Sequence, residues 1–213
     1  VSDGVEEILK IGEKEAENID IFGDEYMAKI DKLKLPNTKL KLIQQILKKA
    51  IDEFKKVNKI KGIDFTKKFK NLVDVYNERK DDLNFATDVL NDLVDKFSDL
   101  FGELKEERDS FEEMGIDFEE KAFYDILKAV AEKYKLKYSD KKLITLSCEI
   151  KKLIEDKAKY TDWSKRDDIK AELKMDLILL MDKHKYPPVP RDEVFKEIFE
   201  QAENFKKYTR VEI

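Results

Sequence analysis

Nucleophilic catalysis needs a nucleophile beside a base, and this chain has one cysteine, Cys148, and one histidine, His184. Nothing in the spacing brings them together. Cys148 lies between Leu146 and Ile150 on an apolar helical stripe, where a free thiol is expected to pack as a small apolar group. His184 falls in a lysine-rich helix end, where an imidazolium suits the helix dipole. Two such residues are too few for a closed zinc site. Carboxylates are abundant, and Glu119-Glu120-Lys121 with Asp109 upstream loosely matches a nuclease metal triad. That chemistry needs Glu119 and Lys121 on one face. In a strand they share a face; in a helix they diverge, and the period here is helical. Six scattered glycines build neither GxxxxGK[ST] nor GxGxxG, so no phosphate-cradling loop is expected. The residues thus predict no catalytic, cofactor-binding or metal-binding set.

The elements that carry these residues are helices. Leu40, Ile43, Leu47, Ile51, Phe54 and Val57 step by three or four and form one stripe. Pro36 bars helix before it, Asn37 or Thr38 can cap its start, and Gly62 is expected to end it. A second stripe, Phe65, Phe69, Leu72 and Tyr76, has Asp64 as its expected N-cap. A third is long: Phe85, Val89, Leu93, Phe97, Leu100, Leu104, then Arg108 and Phe111, from Asn84 to Gly115. Asp117 opens a helix with Ala122, Ile126 and Val130. Ser139 or Asp140 opens one with Leu143, Leu146, Ile150 and Leu153. Ser164 and Asp167 have capping-box spacing ahead of Ile169, Leu173 and Leu177. The stretch 186–190, with three prolines, stops that helix. The last stripe is Val194, Ile198, Ala202 and Phe205. Together these predict an all-α, irregular bundle of about eight or nine helices with no significant sheet. Residues 1–36 are expected to be a weaker, short-helix segment, and 37–213 a helical domain.

The 213 residues carry 43 Lys and Arg against 48 Asp and Glu, a net charge of −5. That excludes a globally basic nucleic-acid binder but permits local basic surfaces. Charged residues make up 43%, against about 25% in an average domain. Hydrophobic residues at 41% still suffice for a core. The charge is uneven. Residues 37–80 hold 13 basic and 5 acidic side chains, and residues 81–120 hold 3 basic and 15 acidic. Opposite helices can screen one another, or a basic surface can face phosphates. On the second reading, Lys48, Lys49, Lys55, Lys56, Lys67, Lys68 and Lys70 are the candidate phosphate contacts. Trp163 and Tyr186, with Pro187 and Pro188, are candidate partner contacts, because Trp and Tyr are favoured interface anchors. The competing reading packs both rings inside the bundle. No apolar run approaches a membrane span, no secretory signal is visible, and a single cysteine fits a reducing, cytoplasmic setting. The start at Val1, inside acidic sequence and without Met, is expected to be a piece of something longer, with a removed leader or start Met as the alternative.

Three segments carry a resemblance. One is LPNTKLKLIQQILKKAIDEFKKVNKIKGIDF with LVDVYNERKD; the second is FEEMGIDFEEKAFYDIL. The third is YTDWSKRDDIKAELKMDLILLMDKHKYPP with a trailing EQAENF. Over residues 35–205 they resemble the C-terminal helical region of the restriction (R, motor) subunit of type I restriction-modification enzymes. The resemblance implies a fragment of an ATP-dependent DNA translocase and endonuclease, whose nuclease and motor domains, with their ATP and magnesium, lie upstream. It implies that this region is not itself an enzyme but docks the motor onto the specificity and modification (methyltransferase) subunits. An auxiliary, sequence-independent contact with double-stranded DNA is the alternative. None of the family's catalytic motifs matches here, so no catalytic residue is carried over.

Overall fold

The computed structural model describes residues 22, 28, 30, 32, 33, 36–77, 87–158, 163–187 and 191–208. Most of the expected N-terminal segment, and Asn84, Phe85 and Pro188, lie outside them. Among the described residues there are seven α-helices, one 3-10 turn and no strand. They are α1 (Pro36–Val57), α2 (Lys59–Asn77), α3 (Thr87–Asp109), α4 (Phe118–Lys133), α5 (Asp140–Ala158), the 3-10 turn Trp163–Lys165, α6 (Asp167–Lys183) and α7 (Arg191–Tyr208).

The described residues form two compact units: those up to 53 with those of 65–106, and those of 54–64 with those from 107 on. In the first, the α1 stripe is buried at Leu40, Ile43, Leu47 and Ile51. On α3, Leu93, Phe97, Leu100 and Leu104 are buried as the period predicts. Val89 is not; it is 42% exposed, and its neighbour Leu90 turns inward instead. Phe69 of α2 packs edge-on against Phe97, centroids 5.8 Å apart.

The second unit is a closed four-helix bundle. α4 neighbours α5 and α7, and α6 neighbours the same two helices. α4 is buried nearly all round, including Phe123, Ile126, Leu127 and Val130, which makes it the central element. Its start is over-determined. Asp117 accepts from the N–H groups of Glu119 (3.0 Å) and Glu120 (2.9 Å), and Glu120 accepts from the Asp117 N–H (3.0 Å). That is the reciprocal capping box, and it satisfies donors that every helix start leaves orphaned.

Four expected boundaries move, one of them the end of α3, which stops at Asp109 rather than Gly115 because residues 110–115 form turns. α1 starts on Pro36 itself, whose missing N–H costs nothing at the first helical position. The α1–α2 break falls at Asn58, not Gly62, and α2 opens at Lys59 rather than after Asp64. Gly62 sits in the first turn of α2 because a Cβ there would lie 2.6 Å from the Lys55 backbone. Ser164 does not cap α6. Residues 163–165 form the 3-10 turn, and Arg166 takes the N-cap position with no side-chain bond.

Candidate functional site

The residue types capable of chemistry are placed mainly in the second unit. Cys148 is half-buried on α5. Burial pushes its thiol up to about 11, and the hydrogen bond and charge of Glu120 push the same way. A thiol held protonated is a poor nucleophile. His184 caps the end of α6, with Nε2 3.0 Å from Glu149 Oε1. At that distance the two groups are in ion-pair range. Lys183 holds the other oxygen of Glu149 at 3.1 Å. Burial works against the charge of Glu149, but His184 and Lys183 outweigh it and hold the carboxyl low.

The loose metal triad does not converge. α4 turns Glu119 towards Lys151 (3.3 Å), whereas Lys121 reaches Glu107 (2.7 Å) and Asp125 (2.6 Å). Asp109 pairs with its neighbour Arg108 at 2.7 Å. Among the described residues no three His, Cys, Asp or Glu side chains form a metal-binding group.

Lys121 and Asp125 instead belong to a buried polar network that sequence reasoning missed. Asn58 Nδ2 donates to Asp125 Oδ2 at 2.7 Å, and Lys61 joins Glu107 at 3.2 Å. Burial pushes the Asp125 carboxyl up, against the pull of Lys121, Lys61 and Asn58. Burial also opposes the charge of Glu107, yet Lys121 and Lys61 hold it below the usual range. Gln201 of α7 completes the corner. Its Oε1 accepts from the Lys59 N–H (2.9 Å) and its Nε2 donates to the Val57 carbonyl (2.9 Å). These are end groups of α1 and α2 that would otherwise be orphaned. The network holds a bend; a break flanked by helical periods was its only sign in sequence.

The expected partner contacts fall elsewhere than on a surface. Trp163 is 1% exposed and Tyr186 2% exposed, and both lie in the core of the second unit. Tyr186 donates its O–H to the Leu127 carbonyl at 2.9 Å and stacks edge-on with Tyr138 at 5.2 Å. Rings this buried cannot anchor a partner from the surface; their apolar area does more against the bundle interior. Pro187, beside Tyr186, is half-buried.

The candidate phosphate contacts divide between the units. Lys48, Lys49, Lys67, Lys68 and Lys70 lie in the first, and Lys55 and Lys56 in the second. Lys48, Lys55, Lys67, Lys68 and Lys70 are exposed, and Lys49 and Lys56 half-buried. Lys68 is committed to Glu103 at 2.6 Å and lies over the Phe65 ring.

The second unit also carries an open groove of about 730 Å3, lined by α5 and α6 residues including Leu153, Leu179 and Leu180. Beside it, α6 is apolar on two faces. Ile169, Leu173, Leu177 and Met181 are buried, while Met175 is 57% and Leu179 63% exposed. A helix apolar on two sides has one side more than its own bundle uses. No helix among the described residues is long and apolar enough to cross a membrane.

Fold and site together define an all-helical, charge-rich domain whose reactive side chains are largely engaged in packing, capping and ion pairs. The chain belongs to the family described as type I restriction enzyme HindI endonuclease subunit-like, C-terminal, which matches residues 1–208. A Methanocaldococcus jannaschii protein provisionally named type I restriction enzyme MjaIXP endonuclease subunit is 20% identical over 200 residues. The match covers 93% of this chain and 18% of that relative, so the chain spans less than a fifth of the relative's length. No solved structure matches the chain.

Proposed function

We propose that this domain is a non-catalytic assembly module of a type I restriction motor subunit. It docks the ATP-dependent translocase and endonuclease onto the specificity and modification subunits in the cytoplasm. The observation that carries this reading is the second apolar face of α6. Met175 and Leu179 lie one helical turn apart on α6 and are exposed, and Leu179 also lines the groove, with Leu153 and Leu180 among charged side chains of α5 and α6. Adjacent exposed apolar side chains rimmed by charge are the arrangement a protein–protein contact uses, with the apolar pair as its centre and the charges as its rim. The rim here is Lys157 with Glu172 (2.6 Å) and Lys183 with Glu149 (3.1 Å). ATP and magnesium belong, on this reading, to the upstream domains. Met175→Ser with Leu179→Ser tests it in co-purification with the specificity–modification core. The pair should leave the thermal transition in place, because exposed substitutions cost little. It should weaken capture of the core at least tenfold; capture at the wild-type level would remove α6 from the interface.

A second reading, an auxiliary phosphate contact by lysines of α1 and α2, is favoured by Lys48, Lys55 and Lys70. They are exposed and, among the described residues, unpaired. Its signature would be duplex affinity that collapses with salt and ignores sequence.

A further inference from the structure

α4 and α6 end in the same way. Leu136 N–H donates to the Ala131 carbonyl (2.7 Å) and Lys135 N–H to Glu132 (3.1 Å), closing α4. Tyr186 N–H donates to Met181 (2.9 Å) and Lys185 N–H to Asp182 (2.9 Å), closing α6. Both are Schellman turns, in which the residue past the cap is left-handed and glycine is favoured. Both turns carry lysine there instead: Lys135 and Lys185 each have a φ of 53°. A third turn of this pattern, after Phe111, uses Gly115, φ 67°. A left-handed lysine is disfavoured relative to glycine, so two of them ask for a reason outside the backbone.

The two lysine turns meet. Tyr138 donates its O–H to the His184 carbonyl at 2.9 Å, and its ring packs on Tyr186. Lys135, Lys137, Lys141, Lys142 and Lys185 therefore gather at one end of the second unit. All five are exposed, and among the described residues none is paired with a carboxylate. Neighbouring carboxylates are engaged by others: Glu193 by Lys133 and Tyr134, Asp140 by Tyr124 and Lys128, Glu149 by Lys183. Glu132 remains against the five lysines.

We propose that this end of the second unit binds the phosphate backbone of duplex nucleic acid without reading its sequence. Lysine ammoniums are point charges suited to phosphate. Single strands are held by several exposed stacking rings, and of the three tyrosines here only Tyr134 is exposed, with Lys133 over its ring, while Tyr186 is buried and Tyr138 half-buried. A lipid surface requires an apolar face, and no large aliphatic side chain is exposed in 132–142 or 182–187. The surface is distinct from the α1 and α2 lysines and does not rest on the docking role of α6.

The test is fluorescence anisotropy of the whole chain with a labelled mixed-sequence duplex across a salt series, with vesicles of anionic lipid as a separate arm. The wild type should bind duplex at low salt. Changing all five lysines to glutamine should weaken that binding at least tenfold and flatten the slope of log affinity against log salt by about 4.5, about 0.9 for each phosphate no longer neutralised. Lys135→Gly with Lys185→Gly should flatten it by about 2 while raising Tm, since glycine suits both turns. Opposite signs for affinity and stability are what a merely structural role would not produce. The proposal is overturned by wild-type affinity in the five-lysine variant or unchanged affinity in the glycine pair. It is equally overturned by absence of duplex binding at low salt, by preference for the vesicles, or by loss of binding only when Lys67 and Lys70 are changed.

Discussion

Asp117 shows how a single carboxylate is committed to the fold. Its oxygens take two backbone N–H groups of α4 and the Lys151 ammonium. Burial works against its charge, but Lys151 and the Glu120 and Glu119 N–H groups prevail and hold the carboxyl below its usual 3.8. A lowered pKa in the folded state means stability that is fully present above the ordinary value and lost as pH falls from there through the lowered one. Asp117→Ala should therefore cost about 1 kcal/mol at neutral pH, the usual worth of an N-cap. Urea unfolding at pH 7 and near pH 3 checks this: the gap between wild type and variant should shrink in acid. An equal gap at both pH values would mean that the charge contributes nothing. Cys148 and His184, the two residues most suggestive of chemistry in sequence, are one raised by burial and one capping a helix beside Glu149.

At the scale of elements, the two helical glycines among the described residues have opposite roles. Gly62 sits where α1 and α2 close on each other, and a methyl there meets the Lys55 backbone. Gly102 on α3 is open, with nothing within 4 Å of the place a methyl would take. Gly62→Ala should destabilise by about 1–3 kcal/mol, as overpacking does. Gly102→Ala should stabilise by roughly 0.5–1 kcal/mol through helix propensity. Denaturant midpoints of the two variants give the comparison directly; equal shifts would refute the tight corner. The apolar stripes of α1, α4, α5, α6 and α7 were legible because burial imposes a 3.6-residue period whatever the neighbours are. The break at Asn58 was not, because what stabilises it, Gln201, lies 142 residues away from Lys59. The failure of Ser164 to cap has the same cause in reverse: Trp163 is drawn into the core, and its turn tightens to 3-10 instead. The lysine turns could not be read either, since a left-handed lysine leaves no compositional mark.

At the scale of the molecule, the opposite charges of 37–80 and 81–120 are partly spent on each other. Lys68 with Glu103 joins the two segments in the first unit, and Lys61 with Glu107 in the second. The family, visible in segments such as FEEKAFYDIL, matches residues 1–208, and α4 built from that segment is the centre of the second bundle. What no sequence pattern marked is where a partner would sit. Burial of Trp163 and Tyr186 removes the aromatic anchors, and exposure of Met175 and Leu179 supplies an aliphatic pair in their place. The central claim is that this domain assembles rather than catalyses. Its most direct test is a calorimetric titration of the whole chain into purified specificity–modification core at low and at moderate salt. Saturable binding that survives moderate salt is expected, because an apolar contact is not screened as phosphate contacts are. Absence of binding by the folded chain, or binding that vanishes at moderate salt, would contradict it.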